Sequence, residues 1–248
     1  MSLQEHRRQI RHLLDDENPA DAMAVYYAYH HPDNRTQLMP FAAQEAAQAV
    51  GYVALSRTGI DLFRPLMTLR LPYWDMATSV EVIYGAMRSG TAVIISTPSH
   101  YLPLLTAVFE VQSEQHLRLL YLDSSRFEPV INVLVSQDTA ANGLPRFLVH
   151  TNAPSGEREL AASASLNWQS PRYAEIAVNT LAGQRRRGFG RSVVAAMVQH
   201  LLANGRLPLY AVAEDNEASY QLATSLGFVD RGLRETILYA SLRPRPTL

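Results

Sequence analysis

The stretch of sequence that decides the fold runs from residue 173 to residue 190 and reads YAEIAVNTLAGQRRRGFG. Tyr173–Thr180 has the length and apolar content of a strand, and Gly188–Ala203 repeats apolar residues at helical spacing. The connection places Gly188 and Gly190 within a run of arginines. Glycine-containing turns let backbone N–H groups converge on one anion, and a helix N-terminus adds partial positive charge. The sequence therefore predicts an anion site at Arg185–Gly190, for which a diphosphate is the natural occupant.

Two other phosphate-binding motifs do not fit this loop, although the glycines taken alone are equally consistent with a plain turn. A dinucleotide fingerprint would place a third glycine where Val193 stands, and a Walker loop requires a lysine. All 22 cationic side chains of the chain are arginine. The chain therefore also lacks a Schiff-base lysine, and without cysteine it has no thiol nucleophile and no thiolate metal site.

The elements after the loop make its context more specific. Leu207–Ala213 is predicted as a strand, and Asn216 is predicted to cap a short helix that Gly227 ends. The order of these elements resembles the GNAT superfamily of acyl-CoA-dependent N-acetyltransferases. The order is a strand, Arg-x-x-Gly-x-Gly, a helix, a strand, Asn, a helix and Leu-Gly-Phe. The resemblance covers Ala174–Phe228, about a fifth of the chain.

The segments before the loop predict two parts. Four strands with turn-rich connections lead up to the loop and predict antiparallel hairpins; they are 131–135, 146–150, 159–166 and 173–180. The earlier chain alternates helical and strand patterns. We expect an α/β (α+β) protein with a mixed, mostly antiparallel sheet flanked by helices, divided into an N-terminal domain (1–128) and a GNAT domain (129–248). The α/β first half resembles the degenerate half-fold of two-part members such as glycine N-acyltransferase-like proteins.

The resemblance implies acetyl-CoA as co-substrate. Backbone groups of Val178, Asn179 and Thr180, where the strand before the loop splays from the strand after the helix, would bind the pantetheine arm and the thioester carbonyl. A bulge in that strand would aim an N–H at the developing oxyanion. Asn216 would contact the cofactor at the start of the last helix. The residues implied for the pyrophosphate are Arg185, Arg186, Arg187, Gly188, Phe189, Gly190 and Arg191.

The resemblance further implies direct attack by a neutral amine, with no covalent enzyme intermediate and with a general base. Glu175 is the candidate base, because some members use a glutamate at this place in the strand; a surface or ion-paired glutamate is the alternative. The other common base position holds Ala211. Many members carry a tyrosine acid where this chain has Ala223. Tyr220, about one helical turn earlier, is the candidate substitute, with a packing role as the alternative.

Candidate residues for the amine acceptor lie between the third and fourth of the predicted strands. Trp168 and Gln169 are expected in the turn there and would line the acceptor pocket, while a buried core tryptophan is the alternative. The identity of the amine, and whether the chain forms a homodimer, are left open by the sequence.

Composition excludes other classes of function. The formal net charge of −1 gives no overall field for attracting nucleic acid or anionic membrane. The charged N-terminal stretch has no signal-peptide pattern and no apolar run is long enough to span a bilayer, which predicts a cytoplasmic location. The eight histidines show no metal-ligand spacing, so no metal is expected. One rival function is a catalytically inactive acyl-CoA-binding module, favoured by Ala223. Nucleotide or phosphosugar binding is disfavoured because no acidic pair accompanies the glycines.

Overall fold

The computed structural model describes residues 1–42, 48–152 and 156–245. They separate into two compact units: unit 1 is Met1–Leu117 with the chain from Arg234 onward, and unit 2 is Arg118–Leu233. Unit 2 begins at Arg118, before the boundary expected after residue 128. Two long strands, Phe109–Leu122 and Phe228–Leu242, each begin in one unit and end in the other. The assignment of 1–128 and 129–248 as separate domains stays a prediction.

The described residues of unit 1 form four α-helices and several strands. The helices are α1 (Leu3–Gln9), α2 (Ala22–Val25, continued by a π-helical turn over Tyr26–His30), α3 (Met76–Ala86) and α4 (Leu102–Val108). The strands are β1 (Thr36–Phe41), β2 (Gly51–Ser56), β3 (Leu66–Arg70), β4 (Ala92–Pro98) and β5 (Phe109–Leu122). β1, β2 and β3 are antiparallel neighbours, β3 and β4 are parallel, and β4 pairs with Glu235–Ser241 of the last strand.

The strands β1 and β3 are two elements that the sequence did not predict. Pro40 interrupts the apolar pattern of β1, and a proline within a run argues against a central strand. The structure resolves this conflict by placing β1 at the edge of the sheet. β3 has only five residues and lies between Pro65 and Pro72, so its pattern is too short to distinguish from a loop.

Unit 2 contains the elements around the predicted loop. Its strands are β6 (Ser136–Thr139), β7 (Pro145–Asn152), β8 (Arg158–Gln169), β9 (Tyr173–Thr180) and β10 (Leu207–Ala213), with the start of β11 (Phe228–Leu242). Its helices are α5 (Phe189–Ala203) and α6 (Glu217–Ser225). The strand order is β10-β9-β8-β7-β6, antiparallel except for the parallel pair β9 and β10. This confirms the predicted fold class.

The core of unit 2 lies between this sheet and α5. Val194 and Met197 of α5 are fully buried against Ile176 of β9 and Phe228 of β11. The predicted strand at 131–135 is wrong, because that stretch is irregular and the first strand begins at Ser136. Val133 and Val135 pack against the core without joining a strand ladder, whereas Ile131 and Leu134 are exposed.

In the described part of the chain, no helix has both the length and the apolar character needed to cross a membrane.

Candidate active site

The parallel strands β9 and β10 diverge within unit 2. They pair only where Tyr173, Ala174 and Glu175 face Leu207, Pro208 and Leu209. β9 then continues to Thr180 while β8 pairs with it along its other edge. The backbone of Val178–Thr180 facing β10 therefore lacks a strand partner among the described residues. The structure has the splay that the resemblance implied, and it leaves main-chain groups available to a ligand.

The loop between β9 and α5 has an uncommon backbone conformation. Gly188 has φ +78° and stands before the first residue of α5, where no side chain caps the helix. Arg186 has φ +60° and is the one residue other than glycine with positive φ in the described ranges. An L-residue held in this region costs about 1–3 kcal/mol and persists where surrounding structure or function requires it. Left-handed residues in a turn of this kind can present backbone N–H groups to an anion.

Gly190 brings the start of α5 against the end of β9. A Cβ atom added at Gly190 would lie 2.9 Å from Thr180 Oγ1 and 3.5 Å from a methyl group of Leu222. Because 2.9 Å is shorter than a carbon–oxygen contact allows, only glycine permits this approach. The helix N-terminus, the left-handed loop and the unpaired end of β9 therefore meet at one place, where the residues fit the phosphates and the arm of an acyl-CoA.

The arginines of the loop lie on the surface around this place. Arg185, Arg186 and Arg187 are exposed, and Arg187 donates to Gln184 Oε1 at 2.5 Å. Arg191 donates to the carbonyl of Ser225 at 3.4 Å. Phe189 is also predicted to contact the cofactor, but its side chain is buried in the core. Phe189 could therefore contact a ligand only through its backbone.

Asn216 lies at the start of α6 as predicted, and its side chain caps this helix. Its Oδ1 accepts a hydrogen bond from the backbone N–H of Ser219 at 3.1 Å and so caps the helix. The side-chain amide N–H group is then the part of Asn216 that could reach a cofactor.

Glu175 is a buried carboxyl group held by two side chains. It is 4% exposed, Asn167 Nδ2 donates to its Oε1 at 2.5 Å, and Trp168 Nε1 donates to its Oε2 at 2.9 Å. Burial raises the pKa of Glu175, while the two hydrogen bonds act to lower it. The alternative of an exposed surface glutamate is thereby excluded.

A β-bulge in β8 produces this arrangement. Leu166 pairs with Ile176 and Trp168 pairs with Glu175, so Asn167 is the extra residue of β8. The resemblance implied a bulge in β9, and the structure instead places it in the neighbouring strand. Because of the extra residue, two consecutive side chains of β8 reach the same carboxyl group. Sequence reasoning missed Asn167 as a functional residue, since nothing in its local pattern distinguishes a bulge from regular strand.

Trp168 and Gln169 do not lie in a turn as expected. Both belong to β8, and the turn begins at Ser170 because the strand extends further than its apolar pattern. Trp168 is 1% exposed and its indole N–H is bonded to Glu175, whereas Gln169 is half-buried. A direct role of these two residues in acceptor binding stays a prediction.

The two positions considered for a general acid have different environments. Ala223 is fully buried in the core of unit 2. Tyr220 is half-buried, and the guanidinium of Arg118 lies 4.7 Å from the centre of its ring. Arg118 also donates to the carbonyl of Glu214 at 3.1 Å, which fixes it beside the start of α6. Sequence reasoning did not identify Arg118.

Unit 1 repeats the order of elements but not the loop. Antiparallel strands lead to β3, followed by α3, the parallel strand β4 and α4. Between β3 and α3, however, the carboxylate of Asp75 caps the helix by accepting from the backbone N–H of Thr78 at 3.0 Å. A carboxylate at this end of a helix occupies the place that a phosphate would take. Only the loop of unit 2 therefore fits an acyl-CoA within the described residues.

Comparison with known proteins agrees with the geometry of unit 2. Residues 153–233 match the family model described as GNAT acetyltransferase. This part of the chain is therefore similar to a GNAT acetyltransferase domain. No curated protein matches the sequence. Among the described residues, no three or more His, Cys, Asp or Glu side chains lie together in a group that could hold a metal ion.

Several solved structures share the fold of the chain. A GCN5-related N-acetyltransferase from Kribbella flavida has 14% identity and a TM-score of 0.61, over 89% of this chain and 93% of its own. A tandem GNAT protein from the clavulanic acid biosynthesis pathway has 14% identity and a TM-score of 0.59, over 92% and 89%. A GNAT-family acetyltransferase from Colwellia psychrerythraea has 10% identity and a TM-score of 0.54, over 88% and 89%. At these identities the likeness establishes the GNAT fold and not the substrate.

Proposed function

We propose that the chain is an acyl-CoA-dependent N-acetyltransferase that transfers an acetyl or short acyl group to a primary amine, with acetyl-CoA as co-substrate. The observation that carries this proposal is the contact between Gly190 and Thr180. It joins the positive end of α5 to the part of β9 whose backbone is free of β10. A GNAT domain supports acetyl transfer as the class of reaction.

The loop would hold the diphosphate through backbone N–H groups and the side chains of Arg185, Arg186 and Arg187. Exposed guanidinium groups bind phosphate oxygens with two donors at once and release bound counterions as they do so. The main chain of Val178–Thr180 would hold the extended arm by strand-like hydrogen bonds. When bound, acetyl-CoA supplies the thioester whose acetyl group is transferred.

Glu175 would receive the proton that the amine must lose. Its raised pKa suits this role, since a base with a pKa closer to neutrality accepts a proton readily and remains partly ionised. Asn167 and Trp168 fix both carboxyl oxygens, so the carboxyl group keeps one orientation while its protonation changes. Because Glu175 is only 4% exposed, the proton would travel from the entering acceptor or through one bridging water.

Tyr220 would protonate the departing thiolate, since Ala223 cannot. The second candidate function is an acyl-CoA-binding module without catalysis, which the buried Ala223 favours. In that case the diphosphate site would be retained, and the chain would act as a sensor of acyl-CoA or bind a partner.

Two measurements distinguish these functions. Acetyl-CoA should raise the thermal unfolding temperature, whereas ATP and NAD should not; the absence of any shift would reject both functions. Release of free CoA thiol across a panel of primary amines would then establish the enzyme. Binding of acetyl-CoA without amine-dependent thiol release would establish the binding module instead.

A further inference from the structure

Unit 1 contains a cavity of about 490 Å³ that the acetyl-transfer site does not use. It is lined by Gln4, Arg7, Arg8, Arg11, Tyr29 and His30. All six side chains carry N–H or O–H groups that can donate hydrogen bonds, and three are guanidinium groups. Among the described residues that line it, none carries a carboxylate. We propose that this cavity binds a small molecule bearing a phosphate group.

Arg7 is the buried element of this site. It is 8% exposed, and its Nε donates to the carbonyl of Ala28 at 2.8 Å, which fixes the direction of the guanidinium. Its Nη2 forms an ion pair with Asp33 Oδ1 at 2.9 Å. The hydrogen bond and the ion pair hold the guanidinium in place beside the cavity, where its remaining N–H group can donate to a ligand oxygen.

Arg8 and Arg11 supply the remaining positive charge. Arg11 pairs with Asp16 at 3.0 Å, and its guanidinium lies 5.7 Å from the centre of the Tyr29 ring. Arg8 is exposed and forms no ion pair with any described residue. The carboxylates of Asp33 and Asp16 thus pair with two of the three arginines from outside the cavity, and Arg8 keeps its donors free of an ion pair. Arginine forks match phosphate oxygens in geometry as well as in charge.

The size of the cavity indicates more than a bare ion. Pockets for small molecules have volumes of about 300–1,000 Å³, and 490 Å³ lies within this range. The ring of Tyr29 and the aliphatic stems of the arginines form apolar walls beside the donors. A phosphate monoester with a compact organic group satisfies both parts of the site, whereas inorganic phosphate fills only the charged part.

His30 provides a local reporter of binding. Burial lowers its pKa, Arg7 and Arg11 lower it further, and Asp16 acts to raise it. A phosphate bound beside Arg7 opposes the effect of the arginines, so the pKa of His30 should rise. The full chain, labelled with carbon-13 at histidine, would be titrated with glycerol phosphate and with inorganic phosphate, and His30→Gln would assign the signal.

We expect a saturable shift of the His30 resonance, at lower concentrations of glycerol phosphate than of inorganic phosphate. Arg8→Ala should weaken this response by about tenfold or more, because it removes the unpaired charge. Arg88→Ala, an exposed arginine outside the cavity, should leave the response unchanged. Arg186→Ala removes a charge from the loop of unit 2 and none from the lining of this cavity, so it should also leave the response unchanged.

Three results would overturn the proposal: no saturable shift, an equal shift with acetate at the same ionic strength, or equal weakening by Arg8→Ala and Arg88→Ala. The last two would mean that the arginines only screen charge and complement the end of α1. None of these outcomes depends on acetyl transfer, so the cavity and the proposed activity are tested separately.

Discussion

Trp168 Nε1 donates a hydrogen bond to Glu175 Oε2 at 2.9 Å, and both side chains are almost fully buried. The bulge at Asn167 places a second donor on the other carboxyl oxygen. A carboxyl group buried without donors would be held in its neutral form, because burial penalises charge. The two donors counteract part of that penalty and so favour the ionised form, although burial still raises the pKa of Glu175.

Glu175→Gln should leave acetyl-CoA affinity unchanged and lower kcat by about 10²–10⁴, the usual contribution of a general base. The glutamine carbonyl can accept from Trp168, and its amide can donate to Asn167 after that amide turns over, so the fold should persist. In the native protein kcat/KM should rise with pH through the raised pKa of Glu175, because the base must lose its proton. The variant should lack this acidic limb. Native turnover in Glu175→Gln would exclude Glu175 from the mechanism.

Trp168→Phe tests the hydrogen bond itself. The phenyl ring retains most of the packing but has no donor, so one of the interactions that lower the pKa of Glu175 is lost. We expect the acidic limb of the kcat/KM profile to move to higher pH and stability to fall by about 1–3 kcal/mol, because a buried oxygen loses its donor. Trp74→Phe is the matched control, since Trp74 is 75% exposed in unit 1. An unmoved profile in Trp168→Phe would assign the bond to structure alone.

Gly190→Ala should weaken acetyl-CoA binding, because its Cβ would lie 2.9 Å from Thr180 Oγ1 and force the helix away from β9. Gly190→Trp should abolish binding. Gly183→Ala is the matched control in the same loop, where an added Cβ meets nothing within 4 Å. Affinity can be measured by calorimetric titration.

The double variant Gly190→Ala with Thr180→Ala adds a sharper test. Removing Oγ1 relieves the contact, so the double variant should recover part of the affinity that Gly190→Ala loses. If Gly190→Ala and Gly190→Trp both bind acetyl-CoA as the native chain does, the phosphate site lies elsewhere.

The sequence predicted some of these features and not others, for physical reasons. Tyr173–Thr180 and Leu207–Ala213 were predicted with the bounds that the structure has, because turn residues flank compact apolar runs. The same apolar signal failed at 131–135, where burial comes from packing without strand pairing. The bulge at Asn167 depends on the register between two strands, which no local pattern reports. The path of β11 through both units likewise depends on contacts distant in sequence.

Arg186 and Arg185 allow a test of the loop conformation. Arg186 has φ +60°, whereas Arg185 has φ −69°. Replacing arginine by glycine costs chain entropy on folding at both positions. At residue 186 the replacement also removes the penalty of about 1–2 kcal/mol for a left-handed L-residue. Arg186→Gly should therefore be more stable than Arg185→Gly by about that amount in urea unfolding. Both variants should bind acetyl-CoA less tightly and with a weaker dependence on salt, because each loses one charge. Equal stabilities would mean that Arg186 is not strained.

Tyr220→Phe separates the enzyme from the binding module. The phenyl ring keeps its place below the guanidinium of Arg118, so stability and acetyl-CoA affinity should change little. If the hydroxyl protonates the departing thiolate, kcat should fall by about 10²–10⁴. Tyr121→Phe is the control, since Tyr121 lies 4.8 Å from the guanidinium of Arg231 in the same unit. Equal small losses in both variants would show that Tyr220 packs α6 and that the thiolate leaves without an acid from this helix.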